Sequence, residues 1–163
     1  MNRIKVIFIQ VLVTFTLFFT VDYLYTDLFY LSKEEREKVY RTRHDIFGHT
    51  LSPSFDGLGI WGGQTYQVCT DANGFKSSCN DVSKSNRNFE IAFMGDSFTE
   101  AIGMKHEDSF VGMIANDNPN LRIANLGVSF YSPSSYYSKI NWLLEKGYSF
   151  KHIYVFIDIS DIG

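Results

Sequence analysis

The sequence predicts an α/β protein with an N-terminal transmembrane helix, a small β-rich lead-in and part of a doubly wound parallel sheet. Three observations predict it: an apolar run near the N-terminus, turn residues through the middle of the chain, and short apolar segments that alternate with helical patterns after Asn88. At 163 residues the chain has room for one modest domain beyond the first helix. We divide it into a signal anchor (1–31), a helical stalk (32–48), a β-hairpin lead-in with a linker (49–88) and an α/β segment (89–163).

The N-terminal apolar run, Val6–Val21, is interrupted only by Gln10. A membrane-spanning helix needs about 20 residues, and Ile4–Leu24 reaches this length if Asp22 lies at the interface. A cleaved secretory signal and a buried soluble helix are the alternatives. No small-x-small cleavage motif follows the run, which favours an uncleaved signal anchor.

The basic residues around this span predict its orientation. Arg3 and Lys5 favour a cytoplasmic N-terminus, whereas five Lys and Arg residues beyond the span oppose it. Those five are interleaved with glutamates, a pattern typical of a solvated helix face. Because the short N-terminal flank usually dominates, we expect a single-pass membrane protein whose remainder is extracytoplasmic, either periplasmic or at the cell surface.

The stalk and the lead-in are marked by a cap and by turns. Ser32–Glu35 has the form of a capping box and predicts a short helix through about Arg41. Paired Gly, Asn, Asp and Pro residues then predict turns, and Gln64–Thr70 between two of them predicts an alternating strand. Tyr66 and Val68 lie on one face of that strand.

Two cysteines flank the turn Asn73-Gly74. A three-residue loop would place Cys69 and Cys79 directly opposite across a hairpin, within disulfide range, whereas a two-residue loop would turn them to opposite faces. If the loop has three residues and the domain is extracytoplasmic, we predict a disulfide between these two cysteines. The polar stretch Asn80–Asn88 that follows predicts an exposed linker.

The α/β segment contains three predicted strands, Phe89–Met94, Leu121–Leu126 and Lys151–Asp158. The last is almost continuously apolar, which is typical of a parallel strand buried on both faces. Strands alternating with helices through short connections predict right-handed crossovers and an open, doubly wound sheet.

Two helices separate these strands. The first is predicted to be capped by Asp108 and to end before Pro119; the second begins at Ser132-Pro133 and stops at Gly147. The residues predicted to point inward are Phe110, Val111 and Ile114 in the first helix and Tyr136, Ile140, Leu143 and Leu144 in the second.

Candidate site residues follow each predicted strand, at the edge where ligands collect in open α/β sheets. The first strand end, Gly95-Asp96-Ser97, would expose a serine beside backbone N–H groups, as a serine nucleophile requires. The others are Asn125-Leu126-Gly127 and Asp158–Asp161. Each signal alone is weak, because turns and helix caps use the same residues.

Together the three strand ends resemble the GDSL/SGNH hydrolase superfamily. Phe93–Glu100 is similar to its first block, Asn125–Gly127 to its second, and Asp158–Asp161 to its third, which is normally Gly-x-Asn-Asp. The resemblance implies a flavodoxin-like sheet of the SGNH type, with Ser97 as nucleophile and the Gly127 N–H as an oxyanion donor. A looser similarity to membrane-anchored bacterial members extends over residues 49–78.

The third block departs from the family pattern. Asp158 replaces the glycine, and Ser160 replaces the asparagine whose side chain donates to the oxyanion. A serine hydroxyl donates one hydrogen bond from a shorter arm, so Ser160 is only a candidate donor. Asp161 belongs to the third block as a site residue. The supporting residues implied by the resemblance are Gly95, Asp96 and Asn125.

The catalytic base of the superfamily is a histidine in a late Asp-x-x-His block, which does not occur among these residues. His106 lies nine residues after Ser97 in a loop, from which it could approach the site. His152 is predicted at the opposite edge of the sheet, and His44 and His49 at the surface or in the stalk. We therefore expect either a longer source protein or a remnant, and little activity from this chain alone.

Three functions are open at this point. The first is a serine ester hydrolase, or an O-acyltransferase of the same fold, that acts on acylated envelope carbohydrate or lipid. The second is a non-catalytic, membrane-anchored binding or assembly module, and the third is a structural envelope protein. The net charge of −3 leaves no strongly basic surface, so we expect no nucleic-acid partner. No phosphate loop, dinucleotide motif or metal-spaced His and Cys set occurs, so we expect no cofactor and no metal.

Overall fold

The computed structural model describes residues 3–26 and 40–159. The chain divides into two compact units, residues 1–36 and 37–163, and each is described by itself. The capping box predicted at Ser32 lies outside the described residues, as do Ser160 and Asp161 of the third block.

The described part of the first unit, residues 3–26, forms the helix α1 (Arg3–Tyr25), which is 23 residues or about 35 Å long. Its segment Lys5–Tyr25 has a mean hydropathy of 1.9 and none of it is buried in the structure. Each of its three threonines donates its hydroxyl to the carbonyl four residues earlier, as Thr14 does to Gln10. The helix is thus long and apolar enough to cross a membrane, a property that it shares with signal sequences.

The second unit begins with two antiparallel hairpins. The first pairs β1 (Arg41–His44) with β2 (Gly48–Leu51), and the second pairs β3 (Asp56–Trp61) with β4 (Gln64–Cys69). The strand predicted at 64–70 is confirmed and ends one residue earlier. The helical stalk predicted over 32–48 is wrong from residue 41 onward, because residues 41–44 pair with β2 and residues 45–47 form the turn between the two strands.

The predicted disulfide is present and joins Cys69 to Cys79, with the two Cα atoms 5.0 Å apart. The hairpin argument for it is wrong. The carbonyl of Cys69 accepts a hydrogen bond from Ser77, and Cys79 begins a separate 3-10 turn, Cys79–Asp81. That turn brings the second sulfur back to the first.

A parallel three-stranded sheet follows, with the order β6-β5-β7. Its strands are β5 (Asn88–Met94), β6 (Ile123–Asn125) and β7 (Ser149–Val155). Three helices accompany them: α2 (Ser97–Glu100), α3 (Phe110–Asp117) and α4 (Pro133–Glu145). The predicted mixed α/β fold and the parallel pairing are confirmed.

Three of the four predicted helix ends agree with the structure, including the end of α3 at Asp117, before Pro119. Ser132 precedes α4, and Gly147, with φ of 82°, follows its last turn as predicted. The predicted cap at Asp108 is wrong: the Ser109 hydroxyl accepts from the Gly112 N–H, and Asp108 lies in a preceding 3-10 turn. Phe110 is 36% exposed rather than inward, whereas Val111 is fully buried.

Strand β7 differs from the prediction that both of its faces are buried. Tyr154 is 50% exposed and Val155 47% exposed. Within the described residues β7 pairs only with β5 and forms an edge of the sheet. An apolar composition indicates that a strand can be covered but does not show which element covers it.

The lead-in and the sheet share one hydrophobic core. Its buried apolar residues come from both segments and include Leu51, Val68, Phe75, Met94, Leu126 and Leu143. A bridge between Lys76 and Asn125 also connects the lead-in to β6. The lead-in therefore forms part of the structure that supports the strand ends.

Candidate active site

Ser97 is the first residue of α2, immediately beyond the carboxyl end of the central strand β5. Asp96 is the N-cap of that helix, and its Oδ1 accepts from the Phe98 N–H at 3.0 Å. The Ser97 hydroxyl, which is half-buried, donates to Asp96 Oδ2 at 3.4 Å. The strand end therefore presents a serine, as predicted, and its aspartate also serves as a helix cap.

Two glycines allow α2 to pack closely against the strand ends. A Cβ atom on Gly95 would lie 2.1 Å from Thr99 Oγ1, and one on Gly127 would lie 2.4 Å from the Glu100 nitrogen. The second contact is with backbone, which cannot move aside. The predicted importance of both glycines thus has a steric basis at this site.

The Gly127 N–H, the predicted oxyanion donor, is already engaged. It donates to Asn125 Oδ1 at 3.0 Å, and the Asn125 side-chain amide donates in turn to the Thr99 carbonyl at 2.8 Å. Asn125, predicted as a supporting residue, therefore holds the second strand end against α2. Its bond to Gly127 has to break before that N–H can stabilise an oxyanion.

Two other N–H groups at these strand ends are available. Neither the Ser97 N–H nor the Phe130 N–H has an acceptor among residues 3–26 and 40–159. Phe130 has a φ of 64°, and its residue surface is 84% exposed. No sequence pattern indicates this, because aromatic residues rarely adopt a left-handed conformation.

A buried carboxylate, Glu100, lies one helical turn after Ser97 and is fully shielded from solvent. Arg41 donates to both of its oxygens, at 2.9 and 2.7 Å, and the Tyr40 hydroxyl donates to Oε1. The Ser129 N–H donates to Oε2 at 2.6 Å. Burial and then the Glu100 charge raise the pKa of Tyr40, so its hydroxyl remains a donor.

No family model, curated protein or solved structure matches this chain. The resemblance of the three blocks to the SGNH superfamily therefore stays a prediction that rests on the sequence motifs.

Two buried lysines, which the sequence analysis missed, hold segments next to the site. Lys76 donates to the carbonyls of Ala101 and Met104 at 2.7 and 2.8 Å, just beyond α2. Lys139 donates to the Leu126 carbonyl at 3.1 Å. Burial lowers the pKa of Lys76 to about 8 and that of Lys139 to about 7. The i+3 spacing of Lys139 from the inward-facing residue 136 could have indicated its position.

None of the four imidazoles hydrogen-bonds to Ser97 within the described part of the chain. His44 stacks on Phe47, and His152 is an exposed residue inside β7 rather than at its start. His49 is not a stalk residue: its Nε2 contacts the Ser129 carbonyl at 2.7 Å. The fourth, His106, begins the 3-10 turn that precedes α3.

His106 lines a cavity of about 290 Å³ that runs along β6 from Ile123 to Asn125 and whose lining does not include Ser97. Burial lowers the pKa of His106 to about 4, and its Nδ1 has no partner among the described residues. The described structure therefore does not bring His106 to Ser97, whose hydroxyl is bonded to Asp96 instead.

One group of side chains has metal-like spacing. The Asp56 carboxylate and the sulfurs of Cys69 and Cys79 lie within 4.8 Å of one another. The sulfurs are joined in the disulfide and cannot bind as thiolates while it persists.

Proposed function

We propose that this protein is a serine-dependent ester hydrolase of the SGNH type that acts on acyl esters of envelope carbohydrate or lipid. The observation that carries the proposal is the placement of Ser97. It is half-buried at the first turn beyond the central parallel strand, beside two close-packed glycines, and its own N–H has no acceptor among the described residues. We further propose that strands β6-β5-β7 belong to a flavodoxin-like sheet.

The chemistry assigned to this site is acyl transfer through Ser97. Its Oγ attacks the ester carbonyl, a base takes the hydroxyl proton, and the leaving alcohol receives a proton as the acyl-enzyme forms. Water then releases the acid. An acceptor hydroxyl in place of water gives an O-acyltransferase, which the same residues would serve.

We assign oxyanion stabilisation first to the N–H groups of Ser97 and Phe130, since both are free of acceptors among the described residues. The Gly127 N–H joins them when Asn125 releases it. Ser160 remains a proposed donor from outside the described residues. We propose a histidine as the base, as the resemblance implies; within the described residues no imidazole is bonded to Ser97.

The proposed location is outside the cytoplasm, with α1 as a single membrane anchor. The two basic residues before the span support this orientation. The Cys69–Cys79 disulfide supports it independently, because disulfides persist in oxidising compartments.

Chemical rescue tests the proposed function in the chain as it exists. We expect the detergent-solubilised protein to hydrolyse p-nitrophenyl acetate near background, because no imidazole is bonded to Ser97 in the described part. Added imidazole should replace the base and produce a rate above that of Ser97→Ala measured in the same buffers. Identical rates for both proteins at every imidazole concentration would contradict the proposal.

That outcome would favour the second candidate, a membrane-anchored binding or assembly module. The specific observation in its favour is the Gly127–Asn125 hydrogen bond, which occupies a donor that catalysis would need.

A further inference from the structure

We propose that Glu100, held in place by Arg41, is a positioning residue that fixes the Ser129–Phe130 segment against α2, the helix that begins at Ser97. This inference rests on the proposed function, in which the Phe130 N–H serves as an oxyanion donor. It assigns a catalytic purpose to a buried ion pair that the hydrolytic chemistry itself does not use.

The contacts of Glu100 join three separate parts of the second unit. Its carboxylate accepts from Arg41, which lies 59 residues earlier in β1, and from the Ser129 N–H, which lies 29 residues later. Glu100 itself is the last residue of α2, one turn from Ser97. A single carboxylate thus connects the lead-in, the helix that carries the nucleophile and the loop after β6.

The bond to Ser129 is strong enough for this role. At 2.6 Å it is a short, charge-assisted bond, and complete burial of Glu100 strengthens it. The next residue, Phe130, has a left-handed backbone and an exposed side chain, so its own ring contributes little to holding it. Its N–H direction therefore depends on how Ser129 is anchored.

Arg41 orients the Glu100 carboxylate. Its two nitrogens each contact a different oxygen of Glu100, a forked geometry that leaves Oε2 aimed at Ser129. Burial lowers the pKa of Arg41, but the Glu100 charge, Tyr40 and the hydrogen bonds to Glu100 together outweigh burial, and the pKa of Arg41 is raised. The guanidinium therefore remains a charged donor to Glu100.

A matched control occurs in the same chain. Glu90 accepts from two guanidinium nitrogens of Arg122 and from the Arg122 backbone N–H at 2.7 Å, but this pair lies at the surface near the amino ends of the strands. A substitution there removes the same kind of contacts without touching α2 or its neighbouring loop.

The test compares Glu100→Gln with Glu90→Gln by amide hydrogen exchange and by the imidazole-rescued rate. An amide at residue 100 cannot satisfy the Ser129 N–H and both Arg41 nitrogens together. We expect Glu100→Gln to raise exchange in residues 128–131, to leave exchange in β5 unchanged, and to lower kcat about 100-fold at unchanged KM, the loss expected for a displacement of about 1 Å. Glu90→Gln should match wild type in exchange at residues 128–131, in exchange at β5 and in kcat.

Each contrary result has a distinct meaning. The proposal is overturned if Glu100→Gln shows wild-type exchange at residues 128–131 or a wild-type kcat. It is also overturned if exchange in Glu100→Gln rises equally throughout the sheet, because that result indicates a structural role alone. If Glu100→Gln does not fold, Arg41→Lys replaces it, because lysine keeps the positive charge but cannot contact both carboxylate oxygens in a fork. Arg41→Lys should then raise exchange at 128–131 and lower kcat by smaller amounts than expected for Glu100→Gln. Wild-type exchange and kcat in Arg41→Lys would overturn the proposal. A wild-type protein without Ser97-dependent rate refutes the proposed function, and the exchange data then decide alone whether Glu100 holds the segment.

Discussion

Two glutamate–arginine pairs in this protein use nearly the same contacts in opposite surroundings. Glu100 and Glu90 each accept from a guanidinium group and from one backbone N–H. Glu100 is fully buried, three residues after the candidate nucleophile. The Glu90 side chain is 31% exposed and lies near the amino end of the central strand β5. Contact geometry alone therefore does not reveal what an ion pair does; its burial and the segments it joins do.

The physical difference is the cost of leaving a partner unpaired. An exposed charge that loses its partner is solvated by water, so exposed pairs contribute little to stability. A buried charge has no such replacement, and removing its partner is strongly unfavourable. The comparison predicts very different responses to the same substitution.

The largest effect is expected for Arg41→Met. It leaves the Glu100 carboxylate buried without its counter-charge and should lower the free energy of unfolding by about 3–5 kcal/mol. Urea titration followed by the fluorescence of Trp61 and Trp142 measures this. Arg122→Met is the matched control and should change the midpoint little; equal losses in the two variants would break the comparison.

A smaller, pH-dependent effect is expected at Lys139, a buried charge with no carboxylate partner among its hydrogen bonds. Burial lowers the pKa of Lys139 to about 7, whereas the pKa in the unfolded chain is about 10.4. Between these two pH values the folded protein binds fewer protons than the unfolded chain. The free energy of unfolding therefore rises with pH across that window. Methionine does not titrate, so the Lys139→Met variant lacks this pH-dependent contribution. The free energy of unfolding of Lys139→Met, compared with that of wild type at the same pH, should be greatest below pH 7 and should decline toward about pH 9. Urea titrations of both proteins across this range measure it, and a difference independent of pH would contradict the buried-charge account.

The sequence predicted those features that depend on local patterns. Alternating strand and helix signals predicted the parallel pairing of β5 with β6 and β7, and Gly147 predicted the end of α4. The Gly95-Asp96-Ser97 turn was placed correctly because a strand end followed by a capping residue is a local arrangement.

Features that depend on distant partners could not be predicted in this way. Arg41 was assigned to a solvated stalk, because a basic residue among glutamates usually is solvated, but Glu100 draws it into a buried pair. The sequence predicts His49 at the surface or in the stalk, yet it contacts the Ser129 carbonyl. The exposure of β7 depends on which elements lie beside it, and its apolar composition does not contain that information.

The most direct test of the central claim is the covalent labelling of Ser97 by a fluorophosphonate in the presence of imidazole. The serine Oγ bonds to phosphorus, fluoride leaves, and the hydroxyl proton passes to imidazole. Peptide mass spectrometry should find the adduct on Ser97, and Ser97→Ala with an intact Cys69–Cys79 disulfide should remain unlabelled. A folded wild-type protein that takes up no label at Ser97, or that is labelled equally at other serines, would contradict the assignment of Ser97 as the nucleophile.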